Sequence, residues 1–135
     1  DCSEEQVINC LKAAGADFMG DGTGGELDFF IQDQGSNLSG GQKQAVMMAR
    51  ALAFKPDVYL FDEPTSAMDG LTEAQVIAHL TSHLAGKTLL IVTHKMPVVD
   101  MCDRVLVMDE GKIVGDGSKE SYFEILKKRS EQRQN

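Results

Sequence analysis

Apolar positions recur along this chain in two rhythms, a helical spacing and short unbroken runs bounded by breakers, and together they predict alternating helices and strands. Over residues 3–19, Val7, Ile8, Leu11 and Ala14 follow helical spacing. Ser3 precedes Glu4, Glu5 and Gln6, a cap with acids in the first turn. Gly20 to Gly25 reads as a flexible connector, and Leu27 to Ile31 as a short strand or a loop packed on the helices. A second helix is expected from roughly Gln42 to Ala53, followed by a turn at Lys55-Pro56-Asp57. Val58 to Phe61 is a continuous β-rich run, the pattern of a strand buried on both faces. A loop spans Thr65 to Gly70, Thr72 caps a helix to about Leu84, and Gly86 stops it. Thr88 to Thr93 predicts a second buried strand ending at His94. Pro97 suits the first turn of a brief helix to about Cys102. Arg104–Met108 and Lys112–Val114 read as strands joined by a tight turn at Asp109-Glu110-Gly111. Ser118 then caps a last helix whose stripe is Tyr122, Phe123, Ile125 and Leu126.

Strand, helix, strand, helix, strand implies a parallel α/β architecture. In such sheets ligands sit beyond the carboxyl ends of the strands. Asp62, Glu63 and His94 all fall at predicted carboxyl ends, so these three residues define a candidate site.

Composition narrows the picture. At 135 residues the chain fits one domain, and 42% hydrophobic with 25% charged residues is ordinary for a globular protein. No apolar run approaches the ~18 residues of a membrane span. Cys2, Cys10 and Cys102 follow no metal spacing, and their odd number argues against a disulfide framework, which leaves reduced thiols in a cytosolic compartment. A net charge of −8 argues against a nucleic-acid partner. The basic tail, Lys127, Lys128, Arg129 and Arg133, reads as a solvated helix end. The opening Asp1-Cys2-Ser3, without an initiator Met, reads as the start of a piece of something longer.

The stretch Leu38-Ser39-Gly40-Gly41-Gln42 has the form of a backbone anion grip. Ser39 and Gln42 make the S-x-x-Q of a capping box. Gly40 and Gly41 lack Cβ atoms, and the helix behind them turns its free N–H groups and positive dipole end toward an anion. Downstream, Val58-Tyr59-Leu60-Phe61 followed by Asp62 and Glu63 is a Walker B arrangement. Its aspartate would hold Mg²⁺ through water. Its glutamate can polarise a water for attack on a γ-phosphoryl group. His94 follows Ile91-Val92-Thr93, and a histidine there could hydrogen-bond the γ-phosphate or be a surface histidine with no role. His79 and His83 have the i, i+4 spacing of a metal pair, but no third ligand stands near, and both read as solvent-facing.

Taken in order, L-S-G-G-Q, V-Y-L-F-D-E-P, S-A-M-D and I-V-T-H resemble the nucleotide-binding domain of ATP-binding cassette (ABC) transporters, from about Ser3 to Leu126. The resemblance implies a partial P-loop NTPase core with a parallel sheet and a helical signature subdomain. Residues 3–53 would be that subdomain, 58–117 part of the catalytic core, and 118–135 a C-terminal helix and tail. It implies that Leu38, Ser39, Gly40, Gly41 and Gln42 form the signature motif, which completes the ATP site of a partner subunit. Asp62 is then the Walker B aspartate for Mg²⁺, Glu63 the catalytic glutamate, and His94 the switch histidine. Ser66 to Asp69 would be the D-loop, which touches the opposite subunit. Implied partners are a second nucleotide-binding domain and a transmembrane domain, at the cytoplasmic face of the membrane. The flanks of the signature look most like exporters, with type I protein or peptide secretion preferred. Exporters of this kind carry T-E-V-G-E-R-G just upstream. Phe29 to Gly35 keeps only its apolar centre, an acid and the last glycine, so coupling to a membrane domain would use other contacts.

No G-x-x-x-x-G-K-[ST] phosphate loop occurs in these 135 residues. Gly86-Lys87-Thr88 imitates its end, but Thr81 stands at the position of the first glycine and a strand follows where a helix is needed. The expectation is a C-terminal portion of a nucleotide-binding domain that does not hydrolyse ATP alone. Its sheet would lack the phosphate-loop strand and would tend to oligomerise or swap strands. Two other functions fit less of the pattern. One is a non-catalytic partner offering the signature motif to another subunit's ATP. The other is a soluble ABC ATPase of the DNA-repair or translation kind. Only about 20 residues separate signature and Walker B, which leaves no room for a repair-type coiled coil.

Overall fold

The computed structural model describes residues 2–19, 27–122 and 124. Two compact units divide them, residues 1–93 and residues 94–135.

The first unit opens with helix α1 (Glu4–Ala13). Ser3 caps it through a complete capping box, accepting from the Gln6 N–H while the Gln6 side chain accepts from the Ser3 N–H. The helix expected over 3–19 stops earlier, because Gly15 takes a left-handed φ of 75°. A Cβ there would lie 2.7 Å from Val76 Cγ2, so glycine both turns the chain and admits the neighbouring helix. A 3₁₀ turn, Asp17–Met19, follows. The proposed connector from Gly20 to Gly25 lies outside the described residues. Leu27 to Ile31 is irregular rather than a strand. It is pinned by an edge-to-face contact of Phe29 on Phe18, with centroids 5.6 Å apart, and by Asn37 donating to the Phe30 carbonyl at 2.9 Å.

Helix α2 spans Gly40–Ala53, so it begins two residues earlier than its apolar pattern indicates. Its inward stripe is Ala45, Met48, Ala49 and Leu52, and α1 packs on both α2 and α3 (Gly70–His83). Asp69 is the N-cap of α3, accepting from the N–H groups of Leu71 and Thr72 at 3.0 Å each. Thr72 is therefore not the cap; its hydroxyl donates to the second Asp69 oxygen at 2.7 Å. An aspartate can serve two backbone donors at once and suits the dipole, which explains why it takes the position.

Strands β1 (Val58–Asp62) and β2 (Thr88–Val92) pair in parallel, Val58 opposite Thr88 and Asp62 opposite Val92. Burial alternates along β1, which corrects the expectation of a strand covered on both sides. Tyr59 and Phe61 are buried, whereas Val58 and Leu60 on the other face are 60% and 70% exposed. β2 ends at Val92, one residue before the expected end.

The second unit begins at His94 and contains α4 (Met96–Val99), with Pro97 in its first turn. Strands β3 (Arg104–Asp109) and β4 (Lys112–Ser118) then form an antiparallel hairpin. Its two-residue turn, Glu110 and Gly111, has positive φ at both positions, as a type I′ turn requires. Ser118 is the last residue of β4, and most of the helix expected after it lies outside the described residues.

Candidate functional site

Asp62 closes β1 with an exposed side chain, and Glu63 follows it half-buried. The Glu63 N–H donates to the Val92 carbonyl at 2.8 Å, which carries the parallel ladder one residue past the strand. Glu63 takes a left-handed φ of 46°. For a residue with a Cβ that conformation costs roughly 1–2 kcal/mol. It persists because the surrounding bonds determine it.

Those bonds come from three elements. From β2, Val92 holds the Glu63 N–H. From α2, the Gln44 carboxamide donates to the Glu63 carbonyl at 3.2 Å and to Ser66 Oγ at 2.7 Å, and accepts from the Ala67 N–H at 3.0 Å. From α3, buried Glu73 accepts a 2.5 Å hydrogen bond from the buried Thr65 hydroxyl. A hydrogen bond between a buried hydroxyl and a carboxyl group is of the stronger kind, about 1.5–3 kcal/mol where the acceptor is charged.

The glycines of the signature stretch face this same loop. An added Cβ on Gly41 would stand 2.7 Å from the Ala67 carbonyl oxygen, and one on Gly40 would stand 3.3 Å from Ala67 Cβ. So Gly41 is needed for the close approach of α2 to residues 65–68, and Gly40 leaves room beside it, a reason separate from anion access. Ser39 accepts from the Gln42 N–H at 3.2 Å and the Gln42 side chain accepts from the Ser39 N–H at 2.9 Å, the capping box read in the sequence. Leu38 is half-buried beside them.

Thus Leu38 to Gln42, Asp62, Glu63 and Asp69 all lie within one unit. Asp69 lies at the far end of the loop as the α3 cap, its carboxyl held below the usual range first by the Thr72 hydroxyl and then by the backbone N–H groups. His94 is exposed and opens the other unit. His79 and His83 are exposed, as expected, and line a groove of about 270 Å³ with Asn9, Lys12, Ala13 and Ser82. Among the described residues no three His, Cys, Asp or Glu side chains cluster as a metal site.

Three side chains that hold the loop escaped the sequence reading. Neither Gln44 nor Glu73 stands out in the sequence, since each is a polar residue on a helix. Thr65 looked like a loop residue. Only the burial of Glu73 at α3 positions shared with Val76 and Leu80 hints at an inward role.

Two separate features fit parts of a magnesium nucleotide. Asp62 offers a hard, exposed carboxylate oxygen, and the first turn of α2 presents backbone N–H groups with no Cβ on two successive residues. In parallel α/β sheets ligands bind beyond the carboxyl ends of the strands, where Asp62 and Glu63 lie. Comparison with known proteins agrees. The family model for "ABC transporter" matches residues 4–66. The chain is 40% identical over 116 residues to the alpha-hemolysin translocation ATP-binding protein HlyB of Escherichia coli, covering 85% of this chain and 16% of that protein. It is 40% identical over 121 residues to ABC transporter B family member 15 of Arabidopsis thaliana, covering 89% of this chain and 10% of that one. The structure of a bacterial Atm1-family ABC exporter with ATP bound superposes with a TM-score of 0.82 at 30% identity, over 96% of this chain and 24% of that one. A dimeric bacterial ABC transporter cassette gives 0.65 at 28% identity, over 88% and 50%. The chain belongs to the ABC transporter family, within its ATP-binding domain. It spans about 16% of the length of the HlyB-type relatives.

Proposed function

We propose that these residues form the C-terminal portion of a nucleotide-binding domain whose ATP hydrolysis powers export across a membrane. The observation that carries this reading is the carboxyl end of the parallel β1–β2 pair. There Asp62 and Glu63 project past the strands, and Glu63 is held in a strained conformation by Val92 and Gln44. Strain maintained by surrounding contacts is a feature of functional positions.

In this reading Asp62 would hold hydrated Mg²⁺, which neutralises phosphate charge when bound. Glu63 orients and polarises the attacking water, and His94 hydrogen-bonds the γ-phosphate. Leu38 to Gln42 present the amino end of α2 to the ATP of a second nucleotide-binding domain, and Asp69 belongs to the loop that meets that partner. Residues 3–53 serve as the helical subdomain and 58–117 as part of the catalytic core. At the cytoplasmic face of the membrane the domain works on a transmembrane domain that supplies the transport path, and the likeness to HlyB favours protein or peptide secretion.

The 135 residues contain no G-x-x-x-x-G-K-[ST] loop, so alone they do not turn over ATP. That same feature favours a second reading of the chain by itself, a non-catalytic partner presenting Leu38–Gln42 to another subunit's ATP. Among the described residues the parallel sheet has two strands, and its apolar open face favours association between copies or strand exchange.

The test is ATP turnover by the 135-residue chain alone and mixed with a phosphate-loop-bearing portion of a matching domain. Activity is expected only in the mixture and is lost with Glu63→Gln. Turnover by the chain alone that vanished in Glu63→Gln would overturn its incompleteness. A mixture indifferent to Glu63→Gln would overturn the assignment of that residue.

A further inference from the structure

We infer that Gln44 is the positioning residue for Glu63, fastening the loop that carries it to the helix that begins at the signature glycines. This rests on the proposed role of Glu63 as the group that orients water.

The geometry is specific. Gln44 lies on α2 two residues past Gln42, half-buried, and reaches across 19 to 23 positions of sequence. Its carboxamide contacts a backbone acceptor, the Glu63 carbonyl, a backbone donor, the Ala67 N–H, and the Ser66 hydroxyl. One side of the amide must accept and the other must donate, so its orientation is determined by the backbone it meets. No other natural side chain of this length offers both faces. Glutamate keeps the acceptor for Ala67 but turns an oxygen toward the Glu63 carbonyl and loses the donor. Alanine loses every contact.

Position matters because Glu63 sits at positive φ. Its N–H is held from β2 by the Val92 carbonyl, and its own carbonyl is held from α2 by Gln44. Releasing the second tie lets the peptide after Glu63 rotate, and the carboxylate moves with the backbone that bears it. A displacement of about 1 Å at a water-orienting group is enough to cost roughly a hundredfold in rate. Gly41 admits the Ala67 carbonyl at the same junction, since an added Cβ would stand 2.7 Å from that oxygen, so the two backbones lie side by side there. In consequence, the amino end of α2 and the Glu63 loop behave as one body. A shift of that helix end on meeting a partner's nucleotide carries Glu63 with it.

The Gln44 carboxamide is engaged by Glu63, Ser66 and Ala67 of its own chain, so a role through Glu63 predicts an effect on kcat rather than KM. The experiment measures ATP turnover of the 135-residue chain mixed with the phosphate-loop-bearing portion, with Gln44→Ala, Gln44→Glu and Glu63→Gln, alongside amide hydrogen exchange. Gln44→Ala is expected to lower kcat about tenfold to a hundredfold with KM within twofold, following the positional sensitivity above. Gln44→Glu is expected to lose as much although it retains size and the Ala67 acceptor. Faster exchange should be confined to residues 63–67, with α1, α2 and α3 unaffected. An active enzyme in which Glu63→Gln abolishes turnover while both Gln44 variants keep the parent kcat would overturn the inference and leave the role of Glu63 standing. Turnover indifferent to Glu63→Gln would overturn that role instead, and the inference with it. Exchange accelerated throughout the first unit would overturn the inference in favour of a purely structural Gln44.

Discussion

The two faces of the β1–β2 pair are made from alternate residues of the same strands, yet they meet opposite surroundings. On one face Tyr59 is 4% and Phe61 9% exposed, their rings 6.0 Å apart. On the other, Val58, Leu60, Leu90 and Val92 are all more than half exposed. Parallel strands ordinarily carry apolar residues on both sides because both sides are covered. The apolar character of the open face is thus a property of the strand sequence, and its exposure a property of what stands beside it. Large exposed apolar patches mark interaction surfaces, which is why association through this face enters the functional proposal.

The sharpest way to break the comparison is to truncate one residue on each face. Phe61→Ala is expected to cost about 3–5 kcal/mol in urea unfolding of the 135-residue chain, the range for a buried aromatic. Leu60→Ala is expected to stay within about 0.5–1 kcal/mol, as at exposed sites. Equal losses would mean that the two faces are not different in solution. Repeating Leu60→Ala in a full-length chain sharpens the result, since a cost rising to about 2–5 kcal/mol there would mean the face is covered.

A smaller effect separates two glycines that each stand in the first turn of a helix. Gly41→Ala drives a Cβ against the Ala67 carbonyl and is expected to destabilise by about 1–3 kcal/mol, as overpacking does. Gly70 has nothing within 4 Å of an added Cβ, and Gly70→Ala is expected to be neutral or to stabilise by up to about 1 kcal/mol. Melting curves of the two variants decide it, and loss at both sites would remove the α2–loop approach as the cause.

The smallest expected effect lies at the other end of the loop. Asp69→Ala removes the α3 cap and should lower the melting midpoint by less than Gly41→Ala does. Hydrogen bonds from Thr72 depress the Asp69 carboxyl in the folded chain. The sign follows: its contribution is present above the ordinary carboxylate range and is lost as pH falls through the depressed value. The parent and Asp69→Ala should therefore converge in stability under acid. A difference that persists at low pH would show that the cap does not act through its charge.

Much of the site was legible without coordinates. The box at Ser39 and the cap at Ser3 were readable because each is complete within four residues. Asp62 and Glu63 were readable because an apolar run ending in acids locates a strand terminus. The error at Thr72 arose where two capping residues compete, and the outcome depends on which carboxylate or hydroxyl reaches two backbone N–H groups. The error over β1 arose because a continuous apolar run states which residues tolerate burial, not how many layers are present.

By itself, the sequence determined the order of elements and the parallel pair, which rest on local periodicity, capping and spacing, and its motifs carried the resemblance to the family. Tertiary structure alone decided that one strand face stays open and that Gly41 makes room for Ala67. It also decided that Glu63 is held between Val92 and Gln44. Those facts concern atoms 19 or more residues apart, and their contacts depend on distances that no local pattern along the chain encodes.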